Sequence, residues 1–77
     1  MAITVKYFAV LREQLGRAED SVEFEDGMTV AQAWEKANNG KPVPESLMAA
    51  VNMRYSKPDS ELSDGDEVAF FPAVTGG

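Results

Sequence analysis

Apolar and polar residues alternate from Ile3 to Phe8, with Ile3, Val5 and Tyr7 on one face and Thr4, Lys6 and Phe8 on the other. A period of two carried by β-branched residues predicts a strand. The period then changes. Leu11 and Leu15 stand four apart within residues 9–15, which predicts a short helix that Gly16 can close in the left-handed conformation. Alternation returns from Asp20 to Glu25, with Val22 and Phe24 inward, until Asp26-Gly27 turns the chain. Thr29 and Gln32 have the spacing of a capping box, and Val30, Ala33, Trp34 and Ala37 come after at i, i+3, i+4 and i+7 as one apolar helix face. Trp34 is the expected anchor of the core. Asn38-Asn39-Gly40 ends this helix, and Lys41-Pro42-Val43-Pro44 cannot extend it. Leu47 to Met53 predicts a strand, and Arg54-Tyr55 opens a short partner. Leu62 is a core plug ahead of the turn Ser63-Asp64-Gly65-Asp66. The last strand carries Val68 and Phe70 inward, Ala69 and Phe71 outward.

The order is strand, short helix, strand, long helix and three short strands, with no repeat or linker. One capped helix lying across a mixed sheet of four to five strands is the two-layer α+β arrangement on which such a chain can close. Residues 1–72 read as one domain of ubiquitin-like β-grasp type. Residues 73–77 read as an extended tail, since the β-branched Val74 and Thr75 come after Pro72.

Composition narrows the chemistry. The 77 residues include no histidine and no cysteine, so imidazole acid–base, thiol and Cys-ligated metal chemistry are all missing, and paired carboxylates on so small a domain lack an obvious cleft. No phosphate-cradling glycine loop occurs, and Asp64-Gly65-Asp66-Glu67 lacks the ligand spacing of a calcium loop. We therefore expect no metal and no cofactor bound by this chain. A net charge of −6 disfavours nucleic acid as a partner, and the acidic groups, Glu19 to Asp26 and Glu61 to Glu67, read mainly as solvated surface. No apolar stretch is long enough to span a bilayer and no secretory signal opens the chain, so we expect no membrane association and a cytoplasmic location.

The tail and its root remain. The Gly77 carboxylate is the best candidate for a reacting group, because glycine lets a narrow slot enclose the tail. Ordering tail residues in a partner's channel would cost roughly 1–2 kcal/mol each, so the folded domain must supply docking energy. If the first and last strands are neighbours, Phe8 and Phe71 form an exposed aromatic patch beside the tail. The alternative is that a helix covers that face and both are core residues.

Three segments now carry a resemblance. Residues 7–13 (Tyr-Phe-Ala-Val-Leu-Arg-Glu), Ala49-Ala50-Val51-Asn52 and the closing run from Leu62 to Gly77 resemble the MoaD family, the small subunits of molybdopterin synthase. The similarity runs in order along nearly the whole chain; Ala73 departs from it, where the family commonly has a second proline. The resemblance implies a sulfur carrier whose final strand lies parallel to its first. Gly77 would be adenylated by an ATP-using, E1-like activating enzyme. A sulfurtransferase would then convert it to a thiocarboxylate that donates sulfur to cyclic pyranopterin monophosphate. It further implies a heterotetrameric synthase whose large subunit holds the catalytic side chains. Val74, Thr75 and Gly76 would thread that subunit's active site, and Phe8, Tyr55 and Phe71 would face it. Whether this chain counts as an enzyme is left open. Alternatives are a carrier for thiamin thiazole synthesis or tRNA thiolation, and an inert ubiquitin-like interaction module.

Overall fold

The computed structural model describes residues 1–73. Alternation builds β1 (Ala2–Tyr7), in which Ile3, Val5 and Tyr7 are all buried. Helix α1 (Ala9–Leu15) buries Leu11 and stops at Gly16, whose φ of 71° is a conformation that costs a residue with a Cβ. Strand β2 (Glu19–Glu23) turns Val22 inward; Phe24, just past its end, packs against the same core. The second helix, α2 (Val30–Ala37), starts at a complete capping box. Thr29 Oγ1 accepts from the Gln32 N–H, and the Gln32 side chain accepts from the Thr29 N–H at 2.9 Å. Strands β3 (Leu47–Val51), β4 (Arg54–Ser56) and β5 (Glu67–Pro72) complete the chain order.

The five strands form one sheet in the order β2-β1-β5-β3-β4. Strand β5 lies at its centre, parallel to β1 and antiparallel to β3, with Val5 opposite Val68 and Ala49 opposite Phe70. One face of the sheet is covered. Val30, Ala33 and Trp34 of α2 pack onto Ile3, Val5, Tyr7, Val68 and Phe70, all of them buried. Trp34 is the anchor of this core. Its ring meets Tyr7 edge-on at 5.9 Å and Phe70 at 5.0 Å between centroids. The indole N–H is buried and has no hydrogen-bond partner among the described residues. Met28 and Leu62 close one end of the core, where the Leu62 N–H donates to the Met28 carbonyl at 2.7 Å. A helix laid across a mixed sheet with its first and last strands paired in parallel is the β-grasp arrangement.

Three features depart from the sequence reading. The strand predicted from Leu47 to Met53 ends at Val51. Asn52 and Met53 instead form a two-residue hairpin connection with φ of 48° and 70°. Positive φ at both positions matches the twist of the flanking strands, but Met is a poor residue for the second of them. Asn38 is buried rather than merely a helix end. Its amide donates to the Trp34 carbonyl at 3.0 Å and the Tyr7 hydroxyl at 3.3 Å, and accepts from Arg17 at 2.7 Å. Asp20, expected on the solvated surface, accepts from the Tyr7 hydroxyl at 2.8 Å, and Arg17 Nε lies 3.1 Å from the same carboxylate. Periodicity does not report such a network, because each member lies on a different element.

Candidate docking face and tail root

Among the described residues, the other face of the sheet carries no helix. Because β5 alternates, Ala69 and Phe71 must point to this open face if Val68 and Phe70 point to α2. Phe8 is brought alongside by backbone pairing: just past the end of β1, its N–H donates to the Phe70 carbonyl at 3.1 Å. There the chain turns sharply. Phe8 is extended (φ −124°) and Ala9 adopts φ 57°, an uncommon conformation for alanine. Phe8 is left 47% exposed. Register completes the surface from the third strand, with Met48 opposite Phe71, and from the fourth, with Tyr55 opposite Ala50. The Tyr55 and Phe71 rings lie 6.0 Å apart at 58°.

An open depression of about 350 Å³ lies on this face, with Met48 outside its lining. Phe8, Met53, Tyr55 and Phe71 line it, together with Ala50 and Ala69, which face each other across β3 and β5. Two small residues in adjacent strands leave room that larger side chains would fill. Glu67 stands at the rim, its carboxylate 3.2 Å from Lys6 Nζ. Both members of this ion pair are well exposed, so it adds at most about 1 kcal/mol and can be exchanged for contacts to a partner.

The hairpin side of the depression is fixed by Asn52. Its backbone N–H donates to the Glu67 carbonyl at 2.8 Å, and its side-chain oxygen accepts from the Glu67 N–H at 3.0 Å. Its amide nitrogen donates to Asp66 at 2.8 Å. Asp66 in turn accepts from the Ser63 N–H at 2.7 Å, so the acidic turn before β5 is an organised brace rather than loose surface. At the other end, the Ala73 N–H donates to the Ser46 carbonyl at 2.9 Å and carries strand-like pairing to the edge of the described residues.

Phe8, Tyr55 and Phe71, picked out by sequence, are thus brought together. Val74, Thr75, Gly76 and Gly77 lie outside the described residues. Sequence reasoning misses Met48 and Met53, which look like ordinary strand members. The available signal for Met53 is Asn52, a residue that favours hairpin turns. Among the described residues, no group of acidic side chains is arranged to hold a metal ion, and no helix is long and apolar enough to cross a membrane.

A five-stranded mixed sheet with one helical layer, an open aromatic face and a central last strand defines a β-grasp domain. The chain belongs to the ThiS family, whose profile matches residues 5–77. It is 39% identical over 87 residues to the molybdopterin synthase sulfur carrier subunit of Escherichia coli, with 97% of this chain and 99% of the relative aligned. Among solved structures, the putative molybdopterin converting factor subunit 1 of Pyrococcus furiosus shares 34% identity at a TM-score of 0.77, covering 96% of this chain and 99% of that one. SAMP1 of Haloferax volcanii (TM-score 0.79, 23% identity, both chains covered in full) shares the fold. So does a Helicobacter pylori complex of subunits 1 and 2 of molybdopterin-converting factor, at TM-score 0.64 and 20% identity, again over both full lengths.

Proposed function

We propose that this chain is the sulfur carrier subunit of molybdopterin synthase and acts in molybdenum cofactor biosynthesis in the cytoplasm. The observation that carries the reading is the end-to-end similarity, at 39% identity, to a sulfur carrier subunit of that synthase. Gly77 is then the reacting group. A carboxylate is a poor electrophile, so an E1-like enzyme first joins it to AMP from ATP, releasing pyrophosphate. Sulfur delivered by a sulfurtransferase displaces AMP and leaves a C-terminal thiocarboxylate. That sulfur is anionic and nucleophilic near neutral pH and needs no base on a chain without histidine or cysteine. It bonds to cyclic pyranopterin monophosphate, and water then cleaves the acyl–sulfur bond, leaving the sulfur on the pterin and Gly77 as a carboxylate; two such transfers form the dithiolene.

The large subunit of the synthase supplies the catalytic side chains and receives Val74, Thr75 and Gly76. Phe8, Tyr55 and Phe71 form the surface that docks on it. Their convergence on one depression, with Phe8 and Tyr55 exposed and Phe71 half-buried, supports that assignment. Intact-protein mass spectrometry after co-expression with the cognate activating and sulfur-transferring enzymes tests the reading. We expect a mass gain equal to one oxygen replaced by sulfur, lost when Gly77 is deleted. An unchanged mass beside competent partners would show that the tail carries no sulfur. A thiocarboxylate that restores thiamin synthesis or tRNA thiolation, rather than a molybdoenzyme, would reassign the acceptor.

A further inference from the structure

The hairpin between β3 and β4 places a residue where the fold gains nothing from it. Met53 sits at φ 70°, the second of two consecutive left-handed positions, where glycine is the favoured residue and a side chain is strained. It is 93% exposed, so packing in the free domain does not offset that strain. The backbone has little freedom to relax. Asn52, one residue earlier, is tied to Glu67 and Asp66 by three hydrogen bonds of 2.8–3.0 Å. The Met53 side chain nonetheless lines the depression formed by Phe8, Tyr55 and Phe71. Strain held in place by surrounding bonds, with its side chain beside an aromatic patch, points to a use outside the fold.

We propose that Met53 is a docking residue for the large subunit of the synthase, held over the aromatic patch by the Asn52 brace. The inference rests on the functional reading above, which supplies the occupant. Geometry supports the same occupant. Phe71 is six residues from Gly77, and an extended chain spans at most about 3.3–3.6 Å per residue. A partner that holds Gly77 therefore stands within roughly 20 Å of this patch. An unbranched thioether can mould itself to an apolar protrusion and contact aromatic rings, so the partner's facing surface is apolar.

The strain and the contact respond oppositely to substitution, which makes the test specific. Met53→Gly and Met53→Asn both suit a left-handed backbone and remove the side chain; Met53→Leu keeps apolar bulk. Binding of each full-length variant to the purified cognate large subunit is measured by calorimetry beside urea unfolding, with Phe71→Ala as reference. We expect Met53→Gly and Met53→Asn to weaken docking about ten-fold while the unfolding midpoint holds or rises, and Met53→Leu to stay within about three-fold of wild type. Docking unchanged in Met53→Gly and Met53→Asn but weakened in Phe71→Ala would overturn the role of Met53 alone. Docking unchanged in all three would overturn the whole patch as the docking surface. Loss of docking together with loss of stability would overturn the proposal by making Met53 part of the fold.

Discussion

Replacing Asn38 by alanine tests the network that ties α1, β1, β2 and α2 together. Asn38 is 7% exposed and closes the C-terminus of α2 in an unusual way. Its backbone N–H bonds the Glu35 carbonyl, three residues back, at 3.3 Å; its side-chain amide reaches the Trp34 carbonyl, four residues back. The same amide donates to the Tyr7 hydroxyl, and its oxygen accepts from the Arg17 guanidinium. Alanine removes all three contacts. It strands a helix carbonyl, while Tyr7 keeps Asp20 and Arg17 keeps its ion pair. A stranded buried polar group costs about 1–3 kcal/mol and a charge-assisted bond about 1.5–3, so we expect a combined loss of about 2–4 kcal/mol after partial rehydration of Arg17. Against a total stability of about 4–12 kcal/mol for a domain of this size, that is a large share. The thermal midpoint should fall by about 10–25 °C, and the urea midpoint should fall with the slope unchanged. Docking of the folded variant should match wild type, because Asn38 lies in the helical layer and the patch on the opposite face of the sheet. A stability loss below about 0.5 kcal/mol would refute the reasoning, since water would then replace every bond the amide makes.

Tyr7 gives a pH dependence. Its hydroxyl is raised above 10.0, first by burial and then by donation to Asp20, so the folded state favours the neutral phenol. The unfolded chain releases that proton first as pH rises. Stability is therefore complete below pH 10.0 and declines from there toward the higher folded value, a slope that Tyr7→Phe should remove in alkaline urea titrations. Neighbouring phenylalanines on β5 should behave oppositely. Phe70→Ala, at a site with no exposure, should cost about 3–5 kcal/mol in urea unfolding, whereas Phe71→Ala should cost under about 1.5 kcal/mol and chiefly weaken docking to the large subunit.

Legibility in the sequence tracks the range of the interactions. Alternation in Ile3-Val5-Tyr7 and Val68-Phe70, and the stripe Val30-Ala33-Trp34, announce buried faces because each is set by one element's own period, and all eight are buried as expected. The capping box at Thr29 and Gln32 is equally readable, being local by construction. The parallel neighbouring of β1 and β5 comes from family resemblance, since periodicity carries no information about which strands pair. Once that pairing is in place, Phe8 and Phe71 fall on one face, and Tyr55 joins them through the registers of β3 with β5 and β4. The Tyr7-Arg17-Asp20-Asn38 network is not legible because it joins four elements, and its polar members look like surface in a sequence. Met53 is hidden for a different reason. The apolar run of β3 passes into the hairpin with no glycine to mark the turn, so a strained turn residue resembles one more strand position.

The parity of β5 explains how one small domain can hold its fold and present the proposed docking surface without trading one against the other. In a domain this small, every large residue placed in an interface is one not spent on the core. A central strand with a helix on one side only resolves the conflict by alternation. Val68 and Phe70 stabilise the fold while Ala69 and Phe71, one residue on, shape the open face. Because β5 is flanked by β1 and β3, its last residues are held from both sides, by Phe8 at Phe70 and by Ser46 at Ala73. A partner gripping the proposed patch would thereby hold the chain as far as Ala73. Had the same sequence run along an edge strand, half of those backbone bonds would be missing, and the patch could bind without aiming the residues beyond it. Aim is what the proposed chemistry at Gly77 requires of a domain that brings no catalytic side chain of its own.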